Sequence, residues 1–321
     1  MTSAATQTAN DRHQILALSG GGYRGLFSAA YLANCEATFN TKCADRFDLI
    51  TGTSIGALLA AGLSLGVPAA KLKDAMVKYG PVIFKPKRLG FLKRLTVSAP
   101  YDTGVLSTVI KATLGEEAAT TPLRKIDAPL MICAVNYTHG TTEIFRSRGL
   151  AGEKASDIVL ADAVLASAAA PTFFPLVKAG TDQFADGGLV ANAPDVAAVL
   201  ETLGAGRAPL ETVYALSVGT AGRRRGAALH EAPLSPSILS WFFYRGLVQT
   251  TMAAQEDLAL KQAGALLGAR HLRVDEEPAE AQVPAISSLD KADQRATDTL
   301  LSLAEAAFAR TKIDRKLRAF F

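Results

Sequence analysis

The chain has 321 residues, 49% of them hydrophobic, and a net charge of +4. This length and apolar content can supply the core of one large α/β domain or two smaller ones, and they exclude a largely disordered chain. The small net charge argues against a protein dedicated to binding nucleic-acid polymers.

The cysteines and the apolar runs indicate the compartment. Cys35, Cys43 and Cys133 are odd in number and lack metal-ligand spacing, so we expect free thiols in a reducing compartment. The polar segment 1–13 contains no apolar signal-peptide core. The longest apolar run, 55–67, is shorter than a membrane span. We therefore expect a soluble cytoplasmic protein.

The first predicted elements alternate between strand and helix. A buried strand at Gln14 to Ser19 is followed by a glycine-rich loop, 20–25, and a helix from Leu26 to Glu36. A second strand, Phe47 to Thr51, leads into an Ala/Leu-rich helix from Ile55 to Leu65. This order is typical of a parallel sheet covered by helices.

The rest of the chain continues this pattern. Strands are predicted at Leu130 to Asn136, Thr142 to Phe145 and Val213 to Val218, with a short strand-like piece at 183–185. Helices are predicted at Ala69 to Tyr79, Ala161 to Ala168, Pro194 to Leu203, Ser240 to Leu267 and Asp290 to Lys316. We expect a polar N-terminal segment, 1–13, and one domain, 14–321, with a motif-bearing part at 15–194 and a helical C-terminal part at about 237–321.

A serine lies where the second strand gives way to its helix, in Gly52-Thr53-Ser54-Ile55-Gly56. Such a G-x-S-x-G turn holds the serine on a strained corner with its hydroxyl clear of the backbone. The two glycines avoid crowding between strand and helix. The motif predicts that Ser54 is a nucleophile, although the same pattern also arises by coincidence.

The glycine loop after the first strand has three interpretations. Its letters also satisfy G-x-G-x-x-G, but a dinucleotide site places an acidic residue at the end of the second strand, and that strand ends Leu49-Ile50-Thr51. Consecutive glycines at a helix N-terminus also expose backbone N–H groups that can stabilise an oxyanion. A tight turn needed only for packing is the third interpretation. A nucleotide-binding module is therefore the rival to an acyl hydrolase.

A nucleophilic serine needs a base. Of the four histidines, His230 and His271 follow the serine in the order of a serine–acid–histidine triad, but neither lies in a motif that would present it. Asp186 follows a short strand-like piece and precedes Gly187 and Gly188. Burial can raise the pKa of an aspartate enough to make it a base. A plain Asp-Gly turn is the competing interpretation.

Four motifs now occur in order: GGGYRG at 20–25, GTSIG at 52–56, ASAAAPTFFP at 166–175 and DGGLVANAP at 186–194. Together they resemble the patatin-like phospholipases. This resemblance implies a three-layer α/β/α fold with a mostly parallel central sheet, and a catalytic dyad of Ser54 and Asp186 that uses no histidine. One departure is Ala193, where many relatives have a second asparagine.

The resemblance also assigns the remaining motif residues. It places Gly20, Gly21, Gly22, Arg24 and Gly25 in the oxyanion-hole block, and makes Gly52, Gly56, Gly187 and Gly188 supports of their motifs. The implied reaction is hydrolysis of membrane phospholipid acyl esters through an acyl-enzyme, without a metal or organic cofactor. A catalytically idle protein with the same fold is a further alternative.

Two further features concern partners. The SGGGYRGLF and FDLITGTSIGALLA runs resemble phospholipase effectors of cyclic-oligonucleotide antiphage systems, which implies a cyclic nucleotide activator.

Segment 84–95 mixes five cations with five large apolar residues, a composition that favours contact with an anionic membrane. The predicted contact residues are Lys87, Arg88, Phe91, Lys93 and Arg94. A solvated loop is the alternative. Contact would place the enzyme at the inner face of the membrane; the sequence leaves the oligomeric state open.

Overall fold

A computed structural model describes residues 12–86, 99–222 and 247–321. Its strands are β1 (His13–Leu18), β2 (Leu49–Thr53), β3 (Leu130–Asn136), β4 (Thr141–Arg146), β5 (Val177–Ala179), β6 (Asp182–Asp186), β7 (Val213–Val218) and β8 (His271–Val274). Its helices are α1 (Gly25–Phe39), α2 (Ile55–Ser64), α3 (Ala69–Ile83), α4 (Thr103–Leu114), α5 (Glu116–Thr120), α6 (Arg148–Ala151), α7 (Leu160–Ser167), α8 (Gly188–Ala191), α9 (Asp195–Gly204), α10 (Leu247–Leu267), α11 (Gln294–Thr311) and α12 (Arg315–Arg318).

The strands form one sheet with a parallel core. Five strands run parallel in the order β3-β2-β1-β7-β8, with Ile15 of β1 opposite Leu49 on one side and Ala215 on the other. Of the remaining strands, β4 and β6 pair antiparallel with β3, and β5 pairs antiparallel with β6. The sheet is therefore mixed but mostly parallel, as predicted.

The register of β3 brings two strand ends together. β4 pairs with residues 131–136 along one edge of β3. The other edge of β3 is paired with β2 over its first residues and with β6 over its last residues. β2 ends with Thr53 opposite Cys133, and β6 ends with Asp186 opposite Ala134. The turns that follow β2 and β6 consequently begin at neighbouring positions.

Alternate side chains of the parallel core face opposite layers of helices. On one face, the buried core includes Ile15, Leu49, Met131, Val213, Val199 of α9 and Leu267 of α10. On the other face it includes Leu16, Ile50, Ile132, Leu216, Leu59 of α2 and Leu300 of α11. Both faces of these strands are buried, as their near-continuous hydrophobic sequences predict. The three-layer α/β/α prediction is confirmed.

All ten residues of α2 are buried. A helix that is apolar on every side has no solvent face, so it packs in the interior. Because Ser54 immediately precedes this helix, the turn that carries it has a rigid support on its C-terminal side.

The predicted strands and helices inside the described ranges are present, several with shifted ends, whereas other elements were not predicted. β8 lies between the two predicted C-terminal helices, where no element was predicted. Its residues, His271-Leu272-Arg273-Val274, alternate between polar and apolar, but four residues are a weak signal by themselves, and pairing with β7 forms the strand. β5 and α4 were also missed.

Some predictions lie outside the described residues. These are the membrane-contact residues Lys87, Arg88, Phe91, Lys93 and Arg94, together with His230. The three cysteines are all buried and free, as expected. In the part of the chain that the structure covers, none of the helices combines the length and apolar character needed to cross a membrane.

Candidate active site

The turn between β2 and α2 is strained at Ser54, which has φ 57° and ψ −123°. Non-glycine residues rarely adopt this conformation. A Cβ at Gly52 would lie 2.0 Å from the Gly56 carbonyl oxygen, and one at Gly56 would lie 2.3 Å from that of Leu18. Both positions therefore require glycine, as the motif predicts.

Hydrogen bonds from neighbouring elements hold this turn. The Ser54 N–H donates to Ser167 Oγ at 2.9 Å, and the Ser167 hydroxyl donates to the Cys133 carbonyl at 2.6 Å. The Thr53 hydroxyl donates to the carbonyl of Ala191, also at 2.6 Å. Ser167 was not predicted as a functional residue. Its one signal in the sequence is its place in the 166–175 motif, where support rather than contact was expected.

The structure brings Ser54 and Asp186 together. The Ser54 hydroxyl donates to Asp186 Oδ2 at 2.7 Å, and the Gly188 N–H donates to Asp186 Oδ1 at 2.6 Å. The close approach of this segment to β3 needs Gly187, where a Cβ would lie 2.1 Å from the Cys133 carbonyl oxygen. Ser54 is 8% exposed and Asp186 is 1% exposed.

Burial raises the pKa of Asp186 to about 6, against the opposing effect of the hydrogen bonds from Ser54 and Gly188. Desolvation raises the pKa of a carboxyl group because it disfavours the charged form. Near pH 7 this carboxylate is still mainly ionised, and it binds a proton more readily than an exposed aspartate does. It therefore has the protonation state and basicity that a general base needs.

The glycine loop packs beside Ser54, because a Cβ at Gly20 would lie 3.3 Å from Ser54 Cβ. Its backbone N–H groups are not equivalent. Gly20 donates to the Asn192 carbonyl at 3.0 Å, and Arg24 donates to the Gly21 carbonyl. Gly25 donates to the carbonyl of Gly22. Among the described residues, nothing accepts from the N–H groups of Gly21 and Gly22, so these two are the available donors.

The other two residues of this block have different surroundings. The Arg24 guanidinium lies against Gly222, where a Cβ would be 2.9 Å from Nη1. Gly25 allows the start of α1 to approach α2, because a Cβ there would lie 2.6 Å from Ile55 Cγ1. In this geometry both residues position the loop, and neither offers a free backbone donor.

The histidines within the described ranges bind elsewhere. His271 Nε2 is 2.8 Å from Asp195 Oδ1, and His139 Nε2 is 3.4 Å from Asp182 Oδ1. His13 Nε2 lies 3.4 Å from the Thr202 hydroxyl. None of these three is hydrogen-bonded to Ser54. Asp186 is the one titratable partner of the serine in the described part of the chain.

The family model described as "Patatin-like phospholipase" matches residues 16–199. The chain belongs to the patatin-like phospholipase family. The family acts on lipid esters, which makes the chain a hydrolase of that class. The four motifs identified in the sequence all lie within the matched range.

Several curated relatives carry a more specific name. A Pseudomonas aeruginosa protein named "cGAMP-activated phospholipase" is 35% identical over 302 residues, covering 90% of this chain and 85% of that protein. A Vibrio cholerae protein of the same name is 34% identical, covering 76% of this chain and 75% of that protein. The crystal structure of VipD from Legionella pneumophila has 14% identity and a TM-score of 0.42, covering 92% of this chain and 67% of that one. That structural likeness is too weak to support a functional inference.

Replacing Ser54 by glycine should stabilise the protein relative to replacing it by alanine. Both changes remove the hydroxyl, but only glycine tolerates φ 57° without strain. We expect the free energy of unfolding to be about 1 kcal/mol higher for Ser54→Gly, after the entropic cost of glycine. Urea unfolding of the two variants at one pH measures the difference. An alanine variant at least as stable would show that the turn is unstrained.

Replacing Asp186 by asparagine should stabilise the fold in a pH-dependent way. The pKa of Asp186 is higher in the folded than in the unfolded chain, so the native state binds more protons between pH 4 and 6 and loses stability as pH rises through this range. A neutral amide avoids this loss. The gain of Asp186→Asn over wild type should grow from pH 4 to 6 and then level off, at about 1–3 kcal/mol. Melting temperatures of the two proteins across this pH range measure the gain. A gain that is independent of pH would contradict the raised pKa of Asp186.

Proposed function

We propose that the protein hydrolyses acyl esters of membrane phospholipids, with Ser54 as nucleophile and Asp186 as general base. The observation that carries this proposal is the 2.7 Å hydrogen bond between Ser54 Oγ and Asp186 Oδ2. A serine needs a partner within hydrogen-bond reach that takes its proton, and the buried carboxylate meets this requirement. Membership of the patatin-like phospholipase family supports a lipid ester as substrate.

The reaction follows from the placement of these groups. Ser54 Oγ attacks the acyl carbonyl carbon while Asp186 takes the hydroxyl proton. The N–H groups of Gly21 and Gly22 donate to the oxygen on which negative charge develops, and each such donor contributes roughly 3–4 kcal/mol to transition-state stabilisation in comparable enzymes. Asp186 then protonates the leaving alcohol. Water hydrolyses the resulting acyl-enzyme, and Asp186 again acts as base.

Removing either member of the dyad should abolish turnover. We expect Ser54→Ala and Asp186→Asn each to lower kcat/KM by roughly 10³-fold or more, on phosphatidylcholine vesicles and on p-nitrophenyl esters. Wild-type kcat/KM should rise with pH through an apparent pKa of about 6, because the ionised carboxylate is the base.

The matched control is Asp182→Asn. Asp182 lies on the same strand, but its carboxylate accepts from Asn136 Nδ2. Its kcat/KM should stay near the wild-type value. Full activity of either dyad variant, with the control also active, would refute the dyad.

A cyclic dinucleotide, cGAMP, activates the enzyme in this proposal, and membrane degradation then serves antiviral defence. The support is the name "cGAMP-activated phospholipase" carried by three relatives of 34–35% identity, which this chain matches over most of their length. An unregulated phospholipase would also attack the membrane of its own cell, so activation by a ligand is consistent with this activity.

The described residues contain a cavity suited to an anionic aromatic ligand. It measures about 200 Å³ and opens at the amino ends of β1, β7 and β8, at the opposite end of the parallel strands from Ser54. The residues that line it are Arg12, Gln14, Tyr214, Ala269, Arg270, Leu272, Arg315, Lys316, Ala319 and Phe320. Its size accommodates a phosphate with part of a nucleoside, so it would engage one portion of a cyclic dinucleotide.

Among the described residues, the cations of this cavity have no acidic partner. No carboxylate in the described ranges forms a salt bridge with Arg12, Arg270, Arg315 or Lys316. The Arg12 guanidinium stacks 4.7 Å from the centre of the Tyr214 ring. Four like charges around one cavity repel each other until an anion neutralises them, and arginine forks match phosphate geometry.

Neutralising the exposed cations should weaken activation. We expect the double variant Arg315→Gln/Lys316→Gln to bind cGAMP about tenfold or more weakly, because two charge-assisted contacts are lost. Its activity without cGAMP should be unchanged. Isothermal titration calorimetry and a vesicle assay with and without cGAMP measure both quantities.

The matched control is Arg318→Gln, on the same helix but outside the cavity lining. Unchanged cGAMP binding by the double variant would place the activator elsewhere. A wild-type enzyme that neither binds nor responds to cGAMP would overturn activation itself.

Access to substrate needs contact with a membrane. We assign this to the cationic and apolar residues Lys87, Arg88, Phe91, Lys93 and Arg94, at the inner face of the cytoplasmic membrane. Their composition supports the assignment, because lysine and arginine attract anionic headgroups and phenylalanine inserts at the interface.

A further inference from the structure

Asn192 lies directly after α8, between the glycine loop and Asp186. Its Oδ1 atom is 2.5 Å from the position of a Cβ on Gly20 and 2.9 Å from that of a Cβ on Gly188. The first position is 3.3 Å from Ser54 Cβ and the second is 2.9 Å from Asp186 Oδ1. Asn192 Oδ1 is therefore within about 6 Å of both members of the dyad.

This amide oxygen has no partner among the described residues, although Asn192 is only 6% exposed. An unsatisfied buried acceptor typically costs about 1–3 kcal/mol. Buried polar atoms of this kind mark places where water or substrate binds. The oxygen lies against the backbones of Gly20 and Gly188, beside the side chains of Ser54 and Asp186.

The orientation of the amide is determined by its other end. Asn192 Nδ2 donates to Glu256 Oε2 at 2.7 Å. An ionised carboxylate only accepts hydrogen bonds, so the amide nitrogen must face Glu256 and the oxygen must face the site. Arg273 holds Glu256 through Oε1 at 2.8 Å and also donates to Ser19 Oγ at 2.8 Å, one residue before the glycine loop.

We propose that Asn192 Oδ1 and the Asp186 carboxylate together hold the water that hydrolyses the acyl-enzyme. This assignment rests on the Ser54–Asp186 mechanism proposed above. Asn192 Oδ1 is at most about 6 Å from Asp186 Oδ1. One water that donates its two O–H groups at ordinary O···O distances holds two acceptors about 4.5 Å apart, which lies within this limit. Asn192 is then a catalytic residue that contacts the reacting water, and Glu256 is a positioning residue that orients Asn192.

The water oxygen forms a bond to the acyl carbon through its free lone pair while Asp186 takes one of its protons. Asn192 Oδ1 accepts the other O–H throughout. The tetrahedral intermediate then expels Ser54 Oγ, which regains a proton from Asp186, and the fatty acid leaves.

Stopped-flow kinetics with a p-nitrophenyl ester separates the two half-reactions. Acylation appears as a burst of p-nitrophenol, and deacylation sets the steady state. For Asn192→Ala we expect a burst rate within about twofold of wild type and a steady-state rate about tenfold lower, the effect of one lost hydrogen bond to the reacting water. Mass spectrometry of the intact protein should show accumulated acyl-Ser54.

Glu256→Gln tests the same role without leaving a cavity. The amide that it introduces can donate to Asn192 Oδ1, which rotates the Asn192 amide and turns its NH₂ group toward the water. We expect the same selective loss of deacylation, with a melting temperature close to wild type. Glu201→Gln is the matched control. Glu201 lies on α9, and like Glu256 it is a largely buried carboxylate that binds an arginine, in this case Arg146. It should keep both rates.

The outcomes are distinguishable. Equal losses of burst and steady-state rate in a folded Glu256→Gln protein, without acyl-enzyme, would overturn the water assignment and leave the dyad intact. A burst that survives Ser54→Ala would instead refute the dyad. Restoration of turnover by hydroxylamine, a stronger nucleophile than water, would support a defect confined to deacylation.

Discussion

The site depends on one edge of β3, where two strands end against each other. β2 arrives parallel and stops at Thr53, while β6 arrives antiparallel and stops at Asp186. Hydrogen-bonded backbones on a single strand fix this approach to within the spacing of one residue. The turns that follow can approach so closely because Gly52, Gly56 and Gly187 have no Cβ. The backbone positions alone therefore bring the short side chains of Ser54 and Asp186 within hydrogen-bond distance.

The same closeness determines the chemistry of the aspartate. The contact excludes water from Asp186, and this desolvation raises the pKa of its carboxyl group to about 6. An exposed aspartate would be too weak a base for a serine hydroxyl. The fold gives up stability to bury this charge, and it also carries strained backbone at Ser54. Both costs occur at Ser54 and Asp186, the two residues that we propose react with the substrate, and strain of this kind is typical of functional sites.

A second layer of polar groups supports the glycine loop from behind. Arg273 of β8 joins Ser19, Glu256 of α10 and Asp275, while Asn192 links Glu256 to the loop through Gly20. A largely buried arginine with several acceptors is tolerated because each acceptor offsets part of its desolvation. The shift of any one of these elements would alter the loop. In our proposals, the nucleotide cavity contacts β8 one residue before Arg273, at Leu272.

Sequence alone predicted the elements with a strong local pattern. The apolar runs of β1, β2, β3 and β7 predicted a helix-covered parallel sheet, because a strand that is buried on both faces is apolar along nearly its whole length. Four ordered motifs predicted the family and singled out Ser54 and Asp186. β8 was not predicted because its four residues are too short a pattern to indicate a strand, and pairing with β7 is what forms it.

Tertiary structure decided which groups of each motif are available. The glycine loop has several equivalent backbone N–H groups in sequence, but packing against Asn192 and the first turn of α1 leaves those of Gly21 and Gly22 free. Likewise Asn192 of the 186–194 motif comes together with Glu256 and Arg273, two residues that no motif singles out. Sequence determined which chemical groups the chain carries and where its strands turn. Only the tertiary contacts decided which donors and acceptors are left without a partner at this site, because each hydrogen-bond partner is supplied by the segment that packs beside the group.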